Sequence, residues 1–418
     1  MTNFKKQIFS VMTAGALVLS VSAPAFAGTT IEISGNGAGS DNSTQVTQSN
    51  TNTVTQNNDA HVDNHVDSNA NSGNNKADFN TGGDVTVNTG TAKTDTNVTN
   101  TLNSNTAQTG CSACQTGNTD VTVNGNGAGS QNQVKLTDYN TTRVTQDNHA
   151  GVWNSVDSNA DSGSNKANSN TGGTVTVNTG VAKAITNVST SANANNAVVG
   201  NVGAGAQNPT ATFKIANNGA GSTNFITGTL SQGATVTQDN GAWIGNHVDS
   251  DANSGHNSAD FNGGSVTINT GAAKTETDVD NMANFNNASL NCGCGFDVTA
   301  KVVDNGAGFF NNGQNGILLD LNNSSVVGQG NHADLHNWLD DQDANSGFNH
   351  ASLNTGTVNT DPSVVTGSAN TDTTVHNNAN VNTVGNVLPI NWPSFGDINV
   401  GANFDVSAFL AMLGLHIS

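Results

Sequence analysis

The sequence predicts an all-β chain, an elongated repeat protein built as a β-solenoid or as stacked β-arches, with four small β-sandwiches as the competing architecture. Three observations predict it. The decapeptide at 64–73 returns at 154–163 and 246–255, and a worn copy ends at Gly347. Its closing glycines, Gly73, Gly163, Gly255 and Gly347, stand 90, 92 and 92 residues apart, so the chain is a four-fold repeat. Within each repeat, residues alternate. Val46, Val54, Val62 and Val66 share one parity with Gln56, Asn58 and Asn64, while Thr, Ser, Asp and His dominate the other. Period-two alternation marks a strand with one covered face. Glycine- and asparagine-rich turns recur at fixed offsets, and no helical apolar period precedes the C-terminal tail.

Taken in order, residues 1–27 read as a secretory signal peptide. Lys5 and Lys6 give a basic start, residues 8–21 an apolar run, and Ala25-Phe26-Ala27 a small-residue cleavage site. The run is too short to span a membrane. Cleavage after Ala27 is expected, and with it an extracellular or cell-surface location. Residues 28–34 form a lead-in, expected as an edge strand. Four repeats follow, at 35–124, 125–216, 217–303 and 304–384.

Each repeat opens on a turn, Gly37-Ala38-Gly39 in the first, and enters the long alternating run. The run breaks at Ser72-Gly73 and at Asn80-Thr81-Gly82-Gly83. A short strand at 85–87, a turn at Asn88-Thr89-Gly90 and a last alternating strand from Ala92 to Leu102 complete the unit. Ordinary strands have 3–10 residues, so the 25 alternating residues at 46–70 are expected to bend into several strands. Repeat 4 gains one residue before Ala344, which reads as a bulge. Residues 385–418 change composition. Asp405 is placed to cap a short helix from Val406 to Leu413, and the segment reads as a cap over the last repeat or as an interaction tail.

Buried Asn and Gln are costly unless paired. Stacking identical amides on successive repeats satisfies them as ladders. The chain carries 31 acidic and 11 basic residues, a net charge of −20 that becomes −22 once Lys5 and Lys6 leave. Such a surface disfavours nucleic acid and anionic membranes and favours cations. No later stretch is apolar enough for a membrane span.

Several motifs are candidates for chemistry. Asp67, Asn69 and Asn71 recur as Asp157, Asn159 and Asp161, as Asp249, Asp251 and Asn253, and as Asp341, Asp343 and Asn345. Alternate oxygen donors before a glycine resemble a calcium loop. The glycine sits one place late and no glutamate closes the loop, so an Asx-rich turn is the alternative. A row Asp59, His61, Asp63, His65, Asp67, with His332, Asp334 and His336 in repeat 4, offers transition-metal donors or simply a solvated face. Cys111, Cys114, Cys292 and Cys294 lie in equivalent loops and, in an exported protein, read as disulfides. Trp153, Trp243 and Trp338 point outward by parity and suit sugar stacking or packing between molecules. Outward threonines such as Thr51, Thr53 and Thr55 suggest an ice-binding face, or ordinary strand surface. The glycine-rich openings lack the lysine and helix of a phosphate cradle. No catalytic constellation recurs, and Arg143 is the one arginine, so no enzyme is expected.

Val54-x-Gln56 and Ser72-Gly73-x-Asn75-x-Ala77-x-x-Asn80, with Gly163-x-Asn165-x-Ala167 and Gly255-x-Asn257-x-Ala259, resemble curlin, the secreted amyloid-fibre repeat of bacterial biofilms. The likeness covers about a quarter of each repeat, and the unit here is far longer than a curlin repeat. The resemblance implies a strand-arc-strand fold and a fibre-forming role. The expected function is therefore an exported structural protein of the cell surface or matrix, self-associating or bound to other surface proteins and glycans. A calcium-dependent adhesin or glycan-binding module is the alternative, and ice binding a remote one. No cofactor is assigned beyond a calcium ion in the Asp loops.

Overall fold

Every strand of the repeats finds its partner about 90 residues away. In the computed structural model, the backbone of residues 7–21 and the full residues 28–111, 118–200, 210–291, 297–306, 314–355 and 362–385 are described. A leader strand, β1 (Gln7–Val21), precedes four coils. Coil 1 holds β2 (Thr29–Ser34), β3 (Asp41–Asn71), β4 (Val85–Asn88) and β5 (Ala92–Thr109). Coil 2 repeats them as β6 (Thr119–Asn124), β7 (Gln131–Asp161), β8 (Val175–Asn178) and β9 (Ala182–Gly200). Coil 3 has β10 (Thr210–Ala216), β11 (Thr223–Asn253), β12 (Val266–Asn269) and β13 (Ala273–Asn291). Coil 4 has β14 (Asp297–Val303), β15 (Asn315–Asn345), β16 (Ser363–Val365) and β17 (Ala369–Val384).

Each coil gives one strand to each of four parallel sheets, ordered β14-β10-β6-β2, β15-β11-β7-β3, β16-β12-β8-β4 and β1-β5-β9-β13-β17. Strands of one repeat pair with other repeats and not with each other, which removes the four-sandwich alternative. Residues 28–34 hold the first strand of coil 1, which lies at the edge of its sheet. The apolar leader run pairs with β5 as the fifth strand of its sheet.

The long run does not bend into shorter strands. β3, β7, β11 and β15 are each 31 residues long, about 100 Å of continuous pairing. The physical reason is that the covered face changes partner without the strand breaking. The start of the long strand packs on the short first strand, through Val46, Val134 and Leu136 against Ile31, Ile33, Val121 and Val123. The rest faces the returning strand, with Val54 near Ala107, Val62 near Leu102 and Val66 near Val98. A corner core of Val85, Val87 and Ala77 fills the far end. The coil is thus a flat two-layer arch.

Between the apolar rows run columns of amides. Asn64 donates through Nδ2 to Asn154 at 2.7 Å, Asn154 to Asn246 at 2.7 Å, and Asn246 to Asn337 at 2.7 Å. The Asn58, Asn148, Asn240, Asn331 column runs the same way. The glutamines run in reverse: Gln146 donates to Gln56, Gln238 to Gln146 and Gln329 to Gln238. Facing columns meet across the layers, as where Asn100 donates to Asn154 at 3.0 Å. The amides of these columns then find partners without water.

The returning strand continues past Leu102 to Thr109, further than its alternation suggests. Asn103, Asn193, Asn284 and Asn380 each adopt a positive φ of 52 to 63°, which resets the side-chain parity. Asparagine tolerates that conformation better than other residues with a Cβ. The added residue of repeat 4 is a bulge: the register shifts opposite Asp249 and Ser250, and Asp341 takes φ 42°. The proposed helix at 406–413 lies outside the described residues.

Glycines at the corners are set by backbone contact. A Cβ on Gly163 would lie 2.1 Å from the carbonyl oxygen of Gly255, and one on Gly180 would lie 2.3 Å from that of Gly90. Nothing lies within 4 Å of the equivalent Cβ on Gly90, which faces the open end of coil 1. Gly180→Ala is expected to lower the melting temperature sharply and Gly90→Ala to leave it nearly unchanged, as read by circular dichroism. Asn154→Leu removes the acceptor that Asn64 and Asn100 share and the donor to Asn246 Oδ1, and should cost about 2–3 kcal/mol. Equal stability of Asn154→Leu and the parent chain would refute the ladder account.

Candidate functional surfaces

The outer face of the long sheet carries the side chains that the alternation leaves over. Its aromatic residues gather. Trp153 stacks on Trp243 with centroids 5.9 Å apart and planes 12° apart, and Trp338 lies 5.5 Å from Trp153. His336 stacks on Trp338 at 5.3 Å. Glycines make the room. Gly245 lies opposite Trp153 in the register, and a Cβ there would sit 2.5 Å from the indole. Gly241 and Gly151 likewise accommodate His149 and His61. Trp243 and Trp338 remain about two-fifths exposed, at 39% and 42%. The three tryptophans read from parity are therefore brought together as one aromatic surface. The glycines that permit it show no signal in the sequence, because glycine is everywhere in this chain.

The Asp loops divide by position. In coils 2 to 4 the third member of the set turns the corner: Asp161, Asn253 and Asn345 accept hydrogen bonds from the amides of Gly163, Gly255 and Gly347 at 2.9, 3.0 and 2.9 Å. That is an Asx turn. Ser72, Ser162, Ser254 and Ser346 tie the same corner to the carbonyls of Gly90, Gly180, Gly271 and Gly367. The signature decapeptide is thus a corner clamp. The first and second members stack outward as a column, where Asp67, Asp157, Asp249 and Asp340 are in register, as are Asn69, Asn159, Asp251 and Asp343. The bulge moves Asp341 out of the first row. Among the described residues, no three or more His, Cys, Asp or Glu side chains converge closely enough to hold a metal ion.

The column has an electrostatic cost. Burial, then the carboxylates of Asp249, Asp343, Asp341 and Asp157, push Asp251 up to about 6. Asp249 is also raised, by burial first and by Asp157 and Asp341 next. On the returning sheet, burial and then Asp278 raise Asp280 to about 6, while His376 opposes them. Asp260 goes the other way. Burial would raise it, but hydrogen bonds from His350, Ser258 and Ser352 outweigh burial and hold it below the usual range.

Four aromatic and aliphatic side chains at the corner stand in water at positive φ. Phe79, Phe261 and Leu353 have φ 59, 57 and 54°, and Phe348 has φ 54° with its ring stacked on His256 at 5.1 Å. Sequence reading missed them, since they fall inside asparagine-rich turns. Cys111 is buried and disulfide-bonded. Cys114, Cys292 and Cys294 lie outside the described residues. Threonine columns such as Thr55, Thr145 and Thr237 cross three coils and stop at Gly328 in the fourth. No helix among the described residues is long and apolar enough to cross a membrane. Comparison with protein-family models, with curated proteins and with solved structures finds no match.

A carboxyl whose pKa is raised on folding favours the native state when protonated. Its contribution is complete below the unfolded value near 4 and is lost as pH rises through about 6, the folded value of Asp251 and Asp280. Thermal melts should therefore show higher stability at pH 5 than at pH 7, and Asp251→Asn should raise stability at pH 7 while shrinking the difference. A melting temperature that falls between pH 7 and pH 5 would contradict this assignment.

Proposed function

We propose that the chain is an exported bacterial structural protein of the cell surface or extracellular matrix, a β-solenoid that self-associates into, or decorates, a fibre. The observation that carries this reading is the pair of open ends. The long sheet terminates in β3 on one side and β15 on the other, each a 31-residue strand with one unpaired edge. Long, regular edge strands are templates for pairing with another chain, and proteins that must stay monomeric cover or break them. The amide columns add to this, because identical stacked side chains have no intrinsic last member.

A second reading, a glycan-binding or calcium-dependent adhesin, is favoured by the exposed cluster of Trp153, Trp243 and Trp338 and by the outward carboxylate column. Flat aromatic faces with polar neighbours suit sugar rings. Ice binding by the threonine columns is the remote third.

Electron microscopy of the chain from Gly28 onward, in calcium and in chelator, separates these. Filaments in both conditions are the expected result. A chain that stays monomeric at high concentration and adheres to no surface would sink the structural reading, whereas binding on a glycan array that is lost on Trp243→Ala would establish the second.

A further inference from the structure

Rows of three or more alternating histidines and aspartates at the positions opposite Asp59, His61 and Asp63 stand on the two edge strands of the long sheet. β3 carries Asp59, His61 and Asp63, and β15 carries His332, Asp334 and His336, all exposed. At the same positions, the inner strands hold His149, Gly151 and Trp153 in β7 and Gly241, Trp243 and Gly245 in β11. The register carried through the four coils makes Asn331 the equivalent of Asn58. Stacking the coil 1 of another copy beneath coil 4 in that register sets His332 against Asp59, Asp334 against His61 and His336 against Asp63. These three meetings are of opposite kind; beyond them the same rule sets Asp340 against Asp67 and Asp372 against Asp95, like against like, so the code resides in the His/Asp rows alone. The same rule sets Lys301 against Glu32 on the short first sheet.

We propose that coil 4 is the docking face for coil 1 of a second copy of this chain, joined head to tail and in register, with the His/Asp rows as the register code. The proposal rests on the self-association reading and specifies its contact. A slip of two residues would place His332 against His61 and Asp334 against Asp63, and a slip of one would turn the covered face outward. Inner coils need no such code, because the chain itself fixes their register. Neighbouring coils already join such partners diagonally across the strand spacing, as in the ion pair Lys183–Glu276 at 3.0 Å and the hydrogen bond between His247 and Asp340 at 2.9 Å. An imidazole N–H donates to a carboxylate in either charge state, so the rows work for neutral histidine too. At a net charge of −20 for the whole chain, generic attraction between copies is absent, and local pairs must supply the specificity.

Two further features agree. The asparagine column that starts at Asn64 donates toward coil 4, and the glutamine column and the asparagine column that starts at Asn88 donate toward coil 1, so a copy added head to tail continues each without reversal. The corner glycines are retained where the isolated chain does not require them. A Cβ on Gly73, Gly163 or Gly255 would lie 2.0, 2.1 or 2.0 Å from the carbonyl oxygen of the next coil's glycine. On Gly347 it would meet only Asn345 Oδ1, at 3.8 Å. The backbone that would crowd Gly347 is that of Gly73 in the next copy.

The test uses the chain from Gly28 with two exchanged rows. One variant carries His332→Asp, Asp334→His and His336→Asp; the other carries Asp59→His, His61→Asp and Asp63→His. Each alone should keep the parent circular dichroism spectrum and melting temperature but form filaments more than about tenfold less, because each junction becomes like against like. The six-site chain, and a one-to-one mixture of the two variants, should restore assembly. Gly347→Ala should leave the melting temperature unchanged and abolish filaments. If the parent assembles and the exchanged variants and Gly347→Ala assemble equally well, the head-to-tail junction is wrong while the fibre reading stands. If the parent forms no filaments, both fall.

Discussion

The constraint on which the structure depends is the in-register, parallel stacking of each residue on its own counterpart one coil away. A parallel sheet brings neighbouring strands to about 4.8 Å, and at that spacing one amide side chain can donate to the next. Asn64, Asn154, Asn246 and Asn337 therefore satisfy one another in a region that excludes water. An unpaired buried amide would be a serious loss, so the ladder works only if no coil slips. Polarity here holds the register that hydrophobic packing alone would leave loose, since the apolar residues are small and similar from row to row.

The same constraint governs the backbone. Corners stack as tightly as strands, and at Gly73, Gly163 and Gly180 the neighbouring coil leaves no space for a side chain. Where the returning strand must reverse its parity, the same asparagine takes positive φ in each of four coils and joins its own ladder, Asn103 to Asn193 to Asn284 to Asn380. Among the described strands the pairing register shifts at the bulge at Asp341, which sits in the terminal coil where only one neighbour has to accommodate it.

Stacking consumes the inner face and both edges of the middle coils, and the outer face and the ends are left free to vary. There the coils cease to be copies. The middle coils place tryptophans over glycines, while the terminal coils carry histidine and aspartate in alternation. In the head-to-tail junction proposed above, the residues special to the first and last coils are the ones through which a further coil would be recognised.

The sequence by itself determined the four-fold repeat, the all-β class, the inward and outward parity of the long strand and the pairing of the buried amides, because a period of two and a period of about 90 residues are both visible in one dimension. The bulge before Ala344 was legible for the same reason: an added residue breaks a period. Other features needed the third dimension. The unbroken length of β3 follows from two cores lying end to end under one strand, which no local propensity reveals. The parity switch at Asn103 follows from a positive φ that the letter N does not announce in a chain full of asparagine. The corner role of Asp161 and Asn253, and the gathering of Trp153, Trp243 and Trp338 over Gly245, depend on which residues of different coils come to lie side by side. The sequence names the rows, and only the stacking register decides what each row meets.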